Sequence, residues 1–139
     1  MPIFPKTVTV PANTPSTSPF ETTVKLEGDV LIKVILLIPA GHMALTGIQV
    51  LYGTYRLIPR GDEAWLSGDD ERLEWPEYIE LPERETTLKI RAYNTDTVYN
   101  HTFYIRFVTT YKKWIMPTES MARAYKLIER LLGRLLGRM

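Results

Sequence analysis

A chain of 139 residues, 45% hydrophobic and 24% charged, is long enough for one domain with a real core, too short for two, and too apolar for wholesale disorder. It contains no cysteine, which removes disulfides, thiolate metal sites and cysteine nucleophiles together. Its net charge of +1 hides a segregation: residues 62–85 hold ten acids against Arg72 and Arg84, whereas residues 118–139 hold five bases against Glu119 and Glu129.

Met1 to Pro11 carries no basic stretch followed by a long apolar run, so a cleaved signal peptide is not expected. Within the same region, Lys6 to Val10 alternates in the manner of a strand with one buried face. Val10 to Pro19, rich in Pro, Ser, Thr and Asn, reads as a loop. Glu21 to Glu27 alternates again, with Val24 and Leu26 on one face, and Glu27-Gly28-Asp29 supplies a turn. Val30 to Pro39 is nearly continuous in β-branched residues and leucine. It predicts a central strand buried on both sides, or one with an apolar outer face. Lys33 interrupts this run, which is far shorter than the ~20 residues of a membrane-spanning helix, so a soluble protein is expected.

After the break at Pro39-Ala40-Gly41-His42, alternation resumes over Thr46–Tyr52 and Thr54–Ile58. Pro59-Arg60-Gly61-Asp62 and Ser67-Gly68-Asp69-Asp70 are turns, and the Trp75-Pro76 step disfavours helix. Thr86–Tyr93 alternates, Asn94-Thr95-Asp96-Thr97 is an Asx-type turn, and Tyr99–Tyr111 is the last long strand. The spacing predicts an all-β, antiparallel β-sandwich of about eight strands, most simply jelly-roll-like, over residues 1–117.

Beyond Pro117 the period changes. Met121, Tyr125, Ile128, Leu132, Leu135 and Met139 recur at spacings of four and three, widened by Ala124, Leu127, Leu131 and Leu136. Arg123, Arg130, Arg134 and Arg138 face elsewhere. Residues 118–139 are therefore expected to form one C-terminal amphipathic α-helix. It can pack on its own sandwich, associate with copies of itself, or lie on an anionic membrane. Its separation from the last strand favours oligomerisation or docking over membrane contact. The expected assembly interface is Met121, Tyr125, Ile128, Leu131, Leu132 and Leu135 with Arg130 and Arg134. Nucleic acid is not an expected partner, because the acidic stretch opposes it and no reading motif accompanies the bases.

Chemistry is sparsely marked. His42 and His101 could form a metal site with Asp96, but no ligand spacing is present and hydrogen bonding is the simpler reading. Asp62, Glu63, Asp69, Asp70 and Glu71 are hard oxygen ligands suited to calcium, yet their order departs from an EF-hand loop; a solvated or partner-facing acidic surface is favoured. No catalytic residue, metal or cofactor is assigned. Trp65 and Trp75 are read either as caps on the open end of the core or as an exposed ligand platform of the kind that holds sugar rings.

Val10-Pro11-Ala12-Asn13-Thr14-Pro15, Ile38-Pro39-Ala40-Gly41-His42, Tyr93-Asn94-Thr95-Asp96-Thr97 and His101-Thr102 together resemble a pattern in small uncharacterised proteins of phages and thermophilic virus-like elements. The resemblance covers Thr7 to Val108 and excludes the helix. It implies a jelly-roll virion component of the decoration or vertex type, structural and oligomeric, made in the host cytoplasm and carried in the virion. The matching residues are turn formers, so no functional residue carries over. The expectation is thus a non-enzymatic capsid or capsid-associated protein whose partners are copies of itself and other virion proteins. The alternative is a carbohydrate- or ligand-binding module.

Overall fold

The computed structural model describes the backbone of residues 1–115 and 119–137 and, beyond Trp114, the side chains of Arg123 and residues 126–135. Its elements in chain order are β1 (Ile3–Val10), β2 (Phe20–Glu27), β3 (Val30–Ile38), β4 (Thr46–Tyr52), β5 (Tyr55–Ile58), β6 (Glu71–Glu80), β7 (Glu85–Asn94), β8 (His101–Thr110), α1 (Lys112–Ile115) and α2 (Glu119–Gly137).

One pairing rule generates the sandwich. β4 pairs with β5, β3 with β6, β2 with β7 and β1 with β8, all antiparallel, so the chain is a single long hairpin bent between Tyr52 and Tyr55. This hairpin rolls up until β8 also pairs with β3, and β7 with β4. Two four-stranded sheets result, in the orders β1-β8-β3-β6 and β2-β7-β4-β5.

Alternation in the sequence decides which face of each strand turns inward. In β7, Thr86, Leu88, Ile90, Ala92 and Asn94 are buried; in β8, His101, Phe103, Ile105 and Phe107 are. The apolar ones join Val8, Val10, Leu26, Val34, Leu36, Ile48 and Val50 in one core between the sheets. β3 runs between β8 and β6, and its two apolar sides divide the work: Val34, Leu36 and Ile38 enter the core, whereas Ile35 and Leu37 form an apolar outer face.

From its sequence the acidic stretch is expected to be turns and surface, but Glu71–Glu80 is a ten-residue strand. Its alternation is carried by Leu73, Trp75 and Ile79 on the inner side, with Arg72, Glu74, Pro76, Tyr78 and Glu80 facing outward. Proline is tolerated there because β6 is an edge strand, as it is at Pro5 in β1 on the opposite edge. β8 begins at His101 rather than Tyr99, because the Asp96 carboxylate collects the backbone N–H groups of Val98 and Tyr99 into the preceding turn.

Phe103 and Phe107 are among the largest fully buried side chains. Truncating Phe103 to alanine should cost about 3–5 kcal/mol, a transfer loss plus a cavity, read as a lowered urea midpoint with an unchanged slope.

Candidate functional site

β5 and β6 are edge strands on the same side of the sandwich, one in each sheet, and the loop that joins them passes beside the flank, Leu66 pairing with Ile48 of β4. An apolar cleft of ≈ 370 Å³ opens there, lined by Leu57, Pro59, Leu66, Leu73 and Trp75, with Glu74 and Glu77 in its wall. A second cleft of ≈ 300 Å³, lined by Tyr52, Tyr55, Ile79, Leu81 and again Leu57, reaches Glu80. Trp75 is half-buried against the core, and its Nε1–H donates to Glu77 Oε1 at 3.0 Å. Arg60 stands 3.6 Å from the other oxygen of that carboxylate.

Trp65 lies elsewhere. Leu66 exchanges both backbone hydrogen bonds with Ile48 and turns its side chain to the core, so its neighbour Trp65 points to the outer side of the second sheet. There the indole meets Tyr93 edge-on, ring centroids 4.9 Å apart. Gly47 makes this possible: a Cβ at that position would overlap the Tyr93 ring and touch Trp65 Cβ. The two tryptophans flagged by the sequence are therefore not one platform. Trp75 belongs to the cleft and Trp65 to an aromatic pair on the sheet's back.

On α2, Leu127, Ile128, Leu131, Leu132 and Leu135 are each 53–60% exposed, and so are the neighbouring Arg130 and Arg134 exposed. At ~100° per residue the five apolar side chains share one side of the helix, and Lys126, Arg130 and Arg134 occupy the other. The side chains of Met121 and Tyr125 lie outside the described residues. Among the described residues no helix is long and apolar enough to cross a membrane.

His42, His101 and Asp96 are brought together at one end of the sandwich, where the loops between β1 and β2, β3 and β4, and β7 and β8 meet. The two imidazoles lie 4.7 Å apart between centroids, tilted by 42°, and His101 Nε2 lies 2.8 Å from Asp96 Oδ2. His42 is buried, and both its ring nitrogens are used. Nε2 must donate to the Thr102 carbonyl at 3.0 Å, which leaves Nδ1 to accept the Thr46 hydroxyl at 2.7 Å. Buried Asn94 ties the loops: its Nδ2 donates to the carbonyls of Val10 and Tyr99, and its Oδ1 accepts from Asp96 N–H. These side chains lock loops; sequence read Asn94 only as a turn residue, since its burial depends on the approach of distant Val10.

The acids that suggested calcium do not converge. Asp69 Oδ1 accepts the backbone N–H groups of Gly41 and Met43, holding the β3–β4 loop. Among the described residues no group of three or more His, Cys, Asp or Glu side chains is placed to hold a metal ion. Along β6 the acids are partly neutralised: Lys33 and Arg72 both reach Glu74 at 2.7 Å, and Lys112 reaches Glu80 at 3.2 Å. Both cations hold the Glu74 carboxyl below its ordinary range, Lys33 more strongly.

No family model matches the chain, and no curated protein matches it. Among solved structures, a chain in the structure of infectious bursal disease virus Gt strain is similar over 76% of this chain and 32% of that one, at 12% identity and a TM-score of 0.37. This chain thus spans about a third of the length of that one.

Burial pushes His42 below its ordinary pKa of 6.5, opposed by its hydrogen bond to the Thr102 carbonyl and more weakly by Asp69, and the neighbouring His101 adds to the lowering. The unfolded chain therefore binds a proton that the folded chain refuses, so this contribution to stability is complete above about pH 6.5 and is lost as pH falls through the lower folded value. Asp96, held below its ordinary 3.8 chiefly by the Val98 N–H and then by His101, adds a second loss at lower pH. Urea midpoints should fall on acidification from about pH 7 to pH 5. In His42→Gln, which keeps a donor for Thr102, that first fall should vanish.

Proposed function

We propose that the chain is a non-enzymatic structural protein that assembles with copies of itself, a virion component of the capsid-associated kind. The strand orders β1-β8-β3-β6 and β2-β7-β4-β5 are read as a jelly roll, a fold used by capsid proteins and lectins alike. A fold assigns no function by itself. The observation that carries the proposal is the exposed leucine and isoleucine face of α2, five side chains more than half open to water. A helix with such a face is stabilised only when another surface covers it. In this reading the C-terminal helix is amphipathic by design, its partners are copies of the chain and other virion proteins, and its place is the virion.

Light scattering behind size-exclusion chromatography tests the reading. The full chain should run as more than one copy, and Leu131→Lys/Leu135→Lys as a monomer with unchanged strand content by circular dichroism. A monomeric unsubstituted chain across a wide concentration range would falsify self-assembly.

A second reading, a ligand-binding module, is favoured by Trp75 in the wall of the ≈ 370 Å³ cleft. It expects a soluble sugar or apolar ligand to quench tryptophan fluorescence in the full chain and not in Trp75→Ala. Equal quenching in both chains would end it.

A further inference from the structure

The open flank between β5 and β6 and the apolar side of α2 are both uncovered among the described residues. We infer that α2 of a second copy docks in this flank, its leucines against Leu57, Leu73 and Trp75 and its cations beside Glu74, Glu77 and Glu80. The inference rests on the assembly reading above and names the two surfaces that would meet.

Size agrees. β6 has ten residues and so runs about 33 Å, while the 19 residues of α2 make a rod of roughly 28 Å. The two clefts follow one another along the flank and share Leu57, giving a continuous apolar floor. Leu66, Leu73, Trp75, Ile79 and Leu81 lie half-buried along it.

Charge agrees as well. Lys126, Arg130 and Arg134 outnumber Glu129 on the described part of α2, and carboxylates edge both clefts. Asp62 and Glu63, in the β5–β6 loop, and Glu83, just after β6, make no ion pair among the described residues. The pairs already made by Glu74 and Glu80 involve exposed groups, which rearrange at little cost. Pairing α2 with another α2 would instead bring two cationic helices together. The occupant is assigned to a second copy because in the single chain the described leucines of α2 stand in water.

The absence of cysteine gives a direct test, since the chain has no thiol but those introduced. The full-length variants Leu131→Cys, Tyr55→Cys and Leu73→Cys are mixed pairwise under mild oxidation. Leu131→Cys should couple to one or both flank variants, and not to Tyr104→Cys, which is exposed on the outer face of the first sheet. Glu77→Lys/Glu80→Lys should weaken association about tenfold or more, and Arg130→Glu/Arg134→Glu in the same chain should recover part of it.

Coupling of Leu131→Cys only to itself overturns the docking while leaving assembly intact. Closure within one chain of Leu131→Cys/Tyr55→Cys at every concentration assigns the flank to the chain's own helix and overturns the second-copy occupant. Absence of any coupling in a chain that light scattering shows to be oligomeric also overturns the docking. A monomeric chain removes both docking and the assembly reading.

Discussion

Phe103, Ile105 and Phe107 from β8 share one buried cluster with Leu88, Ile90 and Ala92 from β7, and four of the other six strands pair directly with one or the other. β8 lies between β1 and β3, and β7 between β2 and β4. The last two strands therefore supply the inner columns of both sheets, to which strands from the first half of the chain attach on either side. Because the buried residues repeat with period two, a one-residue slip of β7 or β8 would expose its whole inner face. Register, sheet order and the separation of core from surface are fixed by the same burial.

The periphery is finished unevenly. At one end, loops far apart in sequence are joined through groups that have no freedom left: Asn94, His42 and Asp96 place every polar atom described above on a backbone or side-chain partner. Buried polar groups of this kind tolerate no half-measures, since one lost partner leaves an unsatisfied group in a region of low dielectric. On the flank between β5 and β6 the opposite holds. Short β5 leaves much of β6 without a facing strand edge in the second sheet, and apolar side chains meet water. The same chain thus has one end closed by polar ties and one side left open.

Most of the sheet structure was legible because one-sided burial writes itself as alternation. β2 and β7 could be read almost to the residue on that signal, and β4 was bounded as well although Thr46 to Leu51 are all buried. β6 could not, because acids fall on both of its faces, Glu71 and Glu77 on one and Glu74 and Glu80 on the other, and Pro76 argues against a central strand; only the topology, which puts it at an edge, makes that sequence acceptable as a strand. His42, His101 and Asp96 were grouped from residue chemistry, but their roles as loop ties depend on Thr46, Thr102 and Asn94, which carry no motif. The cleft was invisible for a related reason: Leu57 and Leu73 become neighbours only when the hairpin rolls. The separation of Trp65 from Trp75 follows from Gly47, whose missing side chain admits the Trp65–Tyr93 pair outside the second sheet.

Pro5 and Pro76 sit on the two opposite edges of the first sheet. Each removes a backbone donor from a strand whose free side faces no neighbour in the sheet, which blunts an edge as a template for a stray strand. Crowding many copies of an all-β chain invites the growth of continuous, fibre-like sheets. With both margins of this sheet interrupted, the backbone gives such growth little purchase, and any contact between molecules would fall to side chains, which unlike a row of amides can discriminate one surface from another.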